Sequence, residues 1–157
     1  MKIRPIEPHD FAIVARLENQ NWTLKSTPLI INSSAEKIMK KILKGTRYLL
    51  AEENGKILGV LDYGPRHKSE FGAHVLTFGI MTIQEARGKG IATQLIQYLI
   101  REARAENYEK ITINAMSSNP EALHLYERLG FILEGQLRKE FYIDGTYVDS
   151  LIYAYYL

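Results

Sequence analysis

The 157-residue chain contains no cysteine. Disulfides, thiolate metal centres and a cysteine nucleophile are therefore excluded. Histidine is scarce: His9, His67, His74 and His124 are scattered without metal-ligand spacing, and no metal site is expected. No apolar run reaches the roughly 18 residues that a membrane-spanning helix needs, so no membrane partner is expected. Charge of one sign is also lacking, because 20 basic residues face 18 acidic ones. That balance, without a clustered basic face, argues against nucleic acid as a partner. Repeats, low-complexity tracts and linkers are missing too. Residues 1–157 thus read as one domain with room for a sizeable core. The first residues alternate charged with apolar side chains rather than forming a leader, and a cytoplasmic protein is expected.

What is present is an alternation of strand and helix patterns. Lys2 to Ile6 reads as a strand. Asp10 is placed to cap a helix holding Ile13, Val14 and Leu17. Residues 19–34 are polar, with Trp22 and Pro28 embedded, and read as a loop or broken helix. Ser33 or Ser34 caps the next helix, which has Ile38, Met39, Ile42 and Leu43 on one face and ends at Gly45. Asn54-Gly55 joins Tyr48–Glu53 to Lys56–Tyr63 as a hairpin. After a polar loop at 64–72, residues 73–83 form a strand. Ile91, Leu95, Leu99 and Ala103 mark a helix, and residues 110–116 another strand. Asn119 caps a short helix with Pro120 in its first position, Leu123, Tyr126 and Leu129 at helical spacing, and Gly130 as its stop. Asp144-Gly145 marks a closing hairpin. The order β-α-α-β-β-β-α-β-α-β-β predicts a mixed α/β sheet.

Residues 84–93, Gln-Glu-Ala-Arg-Gly-Lys-Gly-Ile-Ala-Thr, lie between a strand and a helix. A glycine-bearing loop there aims several backbone N–H groups at one spot, at the positive end of a helix dipole. That is a site for phosphate or pyrophosphate. The Walker pattern fails, because Gly88-Lys89-Gly90 supplies no Gly-Lys-Ser/Thr. The dinucleotide pattern also fails: its sixth position, counted from Gly88, is Thr93, and the loop lies mid-chain after a hairpin.

Arg87-Gly88-Lys89-Gly90-Ile91-Ala92 resembles the pyrophosphate motif of the GNAT (GCN5-related) N-acetyltransferases, Gln/Arg-x-x-Gly-x-Gly/Ala. Downstream, Asn119 to Phe131 resembles that family's Asn-x-x-Ala-x-x-x-Tyr…Gly-Phe segment, and the resemblance covers nearly the whole chain. It implies a mostly antiparallel sheet of about seven strands and about four helices, splayed between the fourth and fifth strands. It also implies acetyl-CoA as co-substrate. The pantetheine arm would pair with Ile80, Met81 and Thr82, one of whose N–H groups is an oxyanion donor. The diphosphate would meet Arg87, Gly88, Lys89, Gly90, Ile91, Ala92 and Thr93. Asn119 would bond the pantetheine amide. By the same resemblance Tyr126 is the general acid that protonates the departing thiolate, against an alternative as a core tyrosine.

Many relatives place a glutamate base on the fourth strand. Here that stretch, His74 to Thr82, has no carboxylate. His74, Asp62, Glu140 and Asp149 are the candidates, beside a water chain or a purely structural role for each. Without a cysteine to carry the acetyl group, direct attack in a ternary complex is expected. The branch that the C-terminal third resembles is the spermidine and ribosomal-protein N-terminal acetyltransferases. The acceptor is thus a small-molecule amine, an amino-acid derivative or a peptide N-terminus. Residues 19–34 contain Lys25 and no acid, which weighs against a polyamine. Trp22, Tyr63 and the C-terminal tyrosines suggest an aromatic acceptor pocket, or else sheet packing or the interface of a homodimer, an assembly common in the family. A non-catalytic CoA sensor is the alternative function.

Overall fold

The computed structural model describes all 157 residues. Seven strands form one sheet: β1 (Lys2–Pro5), β2 (Arg47–Glu53), β3 (Lys56–Pro65), β4 (Val75–Thr82), β5 (Lys110–Met116), β6 (Ile132–Ile143) and β7 (Thr146–Tyr156). Their order is β1-β2-β3-β4-β5-β7-β6, and every neighbouring pair is antiparallel except β4 and β5. Four helices complete the chain: α1 (Phe11–Asn21), α2 (Ala35–Leu43), α3 (Ile91–Ala105) and α4 (Pro120–Arg128). This is the mixed, mostly antiparallel sheet with four helices that the sequence implies.

The helices form where the apolar spacing predicts them. Ile91, Leu95, Ile96, Leu99, Ile100 and Ala103 are all buried on α3. Fully burying each large one contributes about 2 kcal/mol. The helix sits close on β3 because Gly59 has no side chain: a Cβ there would meet Ile91 Cγ2 at 2.9 Å and Leu95 Cδ1 at 3.0 Å. Ser34 caps α2, its hydroxyl accepting from the Lys37 N–H at 3.2 Å. The two tight hairpins turn at Asn54-Gly55 and Asp144-Gly145, all four residues at positive φ.

The chief feature is the break in the sheet. β4 and β5 pair only from Val75 to Thr77 and Lys110 to Thr112. Thr112 closes the last rung, donating its hydroxyl to the Leu76 carbonyl at 3.1 Å. Beyond it β4 runs on to Thr82 against β3 alone, and β5 runs on to Met116 against β7 alone. The two strands part, and each turns an unpaired backbone edge toward the gap.

Two expectations about local structure need correction. Asp10 does not cap α1 with its side chain. Its carboxylate accepts instead from the Glu7 N–H at 2.8 Å and from both Arg4 terminal nitrogens at 2.7 and 2.9 Å. An arginine in β1 outcompetes the helix end for that acid, and the guanidinium holds the Asp10 carboxyl below the usual carboxylate range. Asn119 precedes α4, but its side chain makes no capping bond either. Strand ends shift slightly: the strand expected at 73–83 is regular only over Val75–Thr82.

Candidate active site

The gap between β4 and β5 widens into a cleft of about 850 Å³. That is ample for a cofactor-sized ligand. Its walls come from the end of α1, from β4, from the loop before α3, from β5 and from α4. Ile80, Met81, Thr82, Arg87, Gly88, Gly90, Ile91, Ala92, Thr93, Asn119 and Tyr126 all line it. Of the residues assigned to the cofactor or to Tyr126 chemistry only Lys89 lies outside, as an exposed loop side chain. Trp22 lines it as an expected aromatic wall would; Asn21, Lys25, Asn114 and Arg128 line it too, with no signal in the sequence that assigns them a role there.

The loop is built as an anion cradle. Gly88 and Gly90 have φ of 75° and 78°, a left-handed conformation that residues with a Cβ rarely adopt. No hydrogen bond of the fold uses the N–H of Gly88, Lys89, Gly90, Ile91, Ala92 or Thr93. Six consecutive donors therefore stand free where α3 begins, and the helix dipole adds positive potential at that point. The ionised lining side chains include Lys25, Arg87 and Arg128 against the single acid Glu121, which suits an anionic ligand.

Tyr126 sits on α4, 5% exposed. Its ring meets Phe78 edge-on at 6.0 Å and packs at 5.9 Å from Phe131 and 6.2 Å from Tyr153. Packing and access therefore coexist: the ring is braced by core aromatics while the residue lines the cleft. Burial pushes its phenol well above the ordinary tyrosine range, so it holds its proton. The neighbouring Tyr153 is pushed up to about 12 by burial and donates to Glu127 Oε1 at 2.7 Å.

The model of the acetyltransferase (GNAT) family matches residues 15–131. The chain belongs to that family. A solved structure of the smu.2055 protein of Streptococcus mutans is 40% identical, covers 99% of both chains and superimposes with a TM-score of 0.95. The spermidine N(1)-acetyltransferase of Escherichia coli K12 is 26% identical over 96% of this chain and 83% of its own. A phosphinothricin acetyltransferase of Sinorhizobium meliloti, solved in complex with acetyl-CoA, shares the fold with a TM-score of 0.89 at 19% identity, covering 99% of this chain and 88% of its own. This protein is accordingly an N-acetyltransferase.

Several candidates from the sequence fall away from the cleft of this acetyltransferase. His74 is exposed just before β4, at the paired end of the fork. Asp149 accepts from Gln136 Nε2 and the Lys139 N–H, both at 2.8 Å, and braces the β6–β7 hairpin. Glu140 is exposed on β6. Tyr63 lies under Arg47, 4.7 Å from the guanidinium, which in turn grips Glu106 at the end of α3. It belongs to the α3 face and not to an acceptor pocket. The C-terminal tyrosines pack on the sheet: Tyr155 lies on Phe131, Tyr142 pairs with Tyr147, and Tyr156 bonds Glu134. Trp22 alone of the expected aromatic wall reaches the cleft. No helix is long and apolar enough to cross a membrane. Glu7, His9 and Asp10 cluster within 4.8 Å, but Arg4 already neutralises Asp10.

Proposed function

We propose that acetyl-CoA lies in the β4–β5 cleft and that its acetyl group passes directly to a primary amine, with Tyr126 as general acid. The observation that carries this reading is the run of six free N–H groups, Gly88 to Thr93, opening into a cleft whose wall includes Tyr126. Those donors suit the diphosphate. The backbone of Ile80, Met81 and Thr82, unpaired on the cleft side, suits the pantetheine arm, and one N–H there can polarise the thioester carbonyl. Asn119 has no side-chain bond of its own and is available to the pantetheine amide. Arg87 adds charge from the loop.

The amine nitrogen bonds the carbonyl carbon and the carbon–sulfur bond breaks. The thiolate takes the Tyr126 proton, and the phenolate is restored by the nitrogen proton through water. Burial keeps the Tyr126 phenol protonated, so its proton is in place for the departing thiolate. No covalent acyl-enzyme is required.

Replacing Tyr126 by Phe tests the reading. Turnover, read as free thiol release with a panel of amines, falls about 10²- to 10³-fold while acetyl-CoA affinity holds. Unchanged turnover would remove Tyr126 from the chemistry. Retained acetyl-CoA binding by wild type with no turnover on any amine would favour a CoA sensor instead.

A further inference from the structure

Behind β4 lies a row of polar residues that the acyl-transfer reading leaves unused. The sheet register sets Tyr48 on β2 directly opposite Asp62 on β3, and Asp62 directly opposite Gly79 on β4. These three residues form one row across three strands, on the face opposite Gly59, which packs under α3. Glu18 of α1, 7% exposed, covers the row.

Two features of this row call for a ligand. The Tyr48 hydroxyl is the only buried side-chain polar atom in the protein without a hydrogen-bond partner, and Tyr48 is 2% exposed. A buried hydroxyl left so is costly. Neither Glu18 nor Asp62 is in an ion pair; the nearest cation, Lys41 on α2, stays beyond salt-bridge range. Gly79 lets the acid lie close over β4, since a Cβ there would stand 2.9 Å from Asp62 Oδ1.

The row also adjoins, along the chain, residues that line the cleft. Gly79 precedes Ile80, which lines the cleft, and it shares its face of β4 with Met81, about 7 Å further on. Asn21 and Trp22 follow Glu18 by one helical turn, the Trp22 N–H bonding the Glu18 carbonyl at 3.1 Å, and both line the cleft. A group bound at Asp62 therefore lies one pleat from the backbone assigned to the thioester.

We infer that the Tyr48–Asp62–Gly79 row, roofed by Glu18, is the acceptor subsite: it takes a primary ammonium with no adjacent carboxylate, and Asp62 is the base that receives its proton. This rests on the acetyl-transfer reading above for the position of the thioester. The ammonium supplies the positive charge that two acids and a phenol lack. An α-carboxylate beside the amine would meet Glu18 and Asp62 and be repelled, so free amino acids are disfavoured against alkylamines, polyamines and peptide N-termini. One ammonium proton passes to the Asp62 carboxylate and on to solvent. The neutral amine then attacks, and its second proton replaces the one that Tyr126 gives to sulfur. Burial raises both carboxyls and Lys41 opposes the rise. Asp62 is thereby held above the ordinary carboxylate range, which makes it a stronger base.

The test compares wild type with Asp62→Asn and Gly79→Ala. Each is titrated calorimetrically with n-butylamine, spermidine and an uncapped tripeptide amide in the presence of free CoA, and turnover with acetyl-CoA is followed against pH. In Asp62→Asn we expect ammonium binding and turnover to fall at least about 100-fold, the acid limb of the pH profile to disappear, and acetyl-CoA affinity to hold. Gly79→Ala should lose about 10-fold in amine binding alone. Equal activity and the same pH profile in Asp62→Asn would overturn the subsite while leaving the acetyl-transfer reading intact. Failure of wild type to bind any of the three amines would overturn it as well. Ammonium binding lost in Asp62→Asn, in a protein that does not turn over, would support the subsite and count against the acetyl-transfer reading.

Discussion

The loop before α3, which lines the cleft, and the polar row behind β4, assigned to the acceptor, are built in opposite ways. The loop offers main-chain N–H groups, six in a row, and needs two glycines at positive φ to aim them. The row offers side chains, drawn from α1, β2 and β3, around a glycine on β4. The first is contiguous in the chain and largely independent of its own side chains. The second exists only once the register of three strands is set. A backbone site tolerates substitution wherever φ and ψ are kept; a side-chain site fails when one carboxylate is lost.

This contrast can be broken at several points. The largest effect belongs to the side-chain end. Tyr126→Phe and Asp62→Asn should each cost two or more orders of magnitude in turnover with acetyl-CoA binding unchanged, as measured by thiol release and calorimetry. Next comes the loop conformation. Gly90→Val forces a β-branched residue into φ near 78°, costing about 1–3 kcal/mol of strain or else tipping the donors away. Acetyl-CoA affinity should fall about 10- to 100-fold by calorimetry while a saturated enzyme keeps its kcat.

A third effect separates the two regions by pH. Glu18 and Asp62 have carboxyls raised by burial, so their contribution to stability is full below the ordinary carboxylate range and is lost as pH rises through their raised values. Asp10 is lowered, chiefly by its hydrogen bonds from Arg4, so its contribution is present above that range and lost as pH falls through its lowered value. Thermal melts across pH should show Asp62→Asn gaining on wild type toward neutral pH. Asp10→Asn should lose most there and converge with wild type in acid. The smallest effect is Lys89→Ala. Its side chain lies outside the cleft, so acetyl-CoA affinity should change less than about threefold, against a larger loss for Arg87→Ala.

The same contrast explains what the sequence disclosed. Arg87 to Thr93 and Asn119 to Phe131 are local patterns, and they located the cleft, its loop and Tyr126. Alternation and turn signals located every strand and helix, because Asn54-Gly55, Asp144-Gly145 and the α3 stripe act over a few residues. The acceptor end was illegible for a physical reason. Tyr48 and Asp62 are 14 residues apart and Gly79 another 17, and only the register puts them in line. Residues 19–34 hold no acid, but Glu18, one position earlier, is buried beside the row. Asp10 and Asn119 hold the N-cap positions without side-chain capping bonds; propensity speaks for local partners, while Arg4 reaches Asp10 from β1.

The most direct test of the central claim is an amide-resolved NMR titration of the wild-type protein with acetyl-CoA. The account predicts that the N–H signals of Gly88 to Thr93 move first and furthest, that those of Ile80 to Thr82 follow, and that those on β6 stay still. Saturable binding that leaves the Gly88–Thr93 signals unmoved would contradict it.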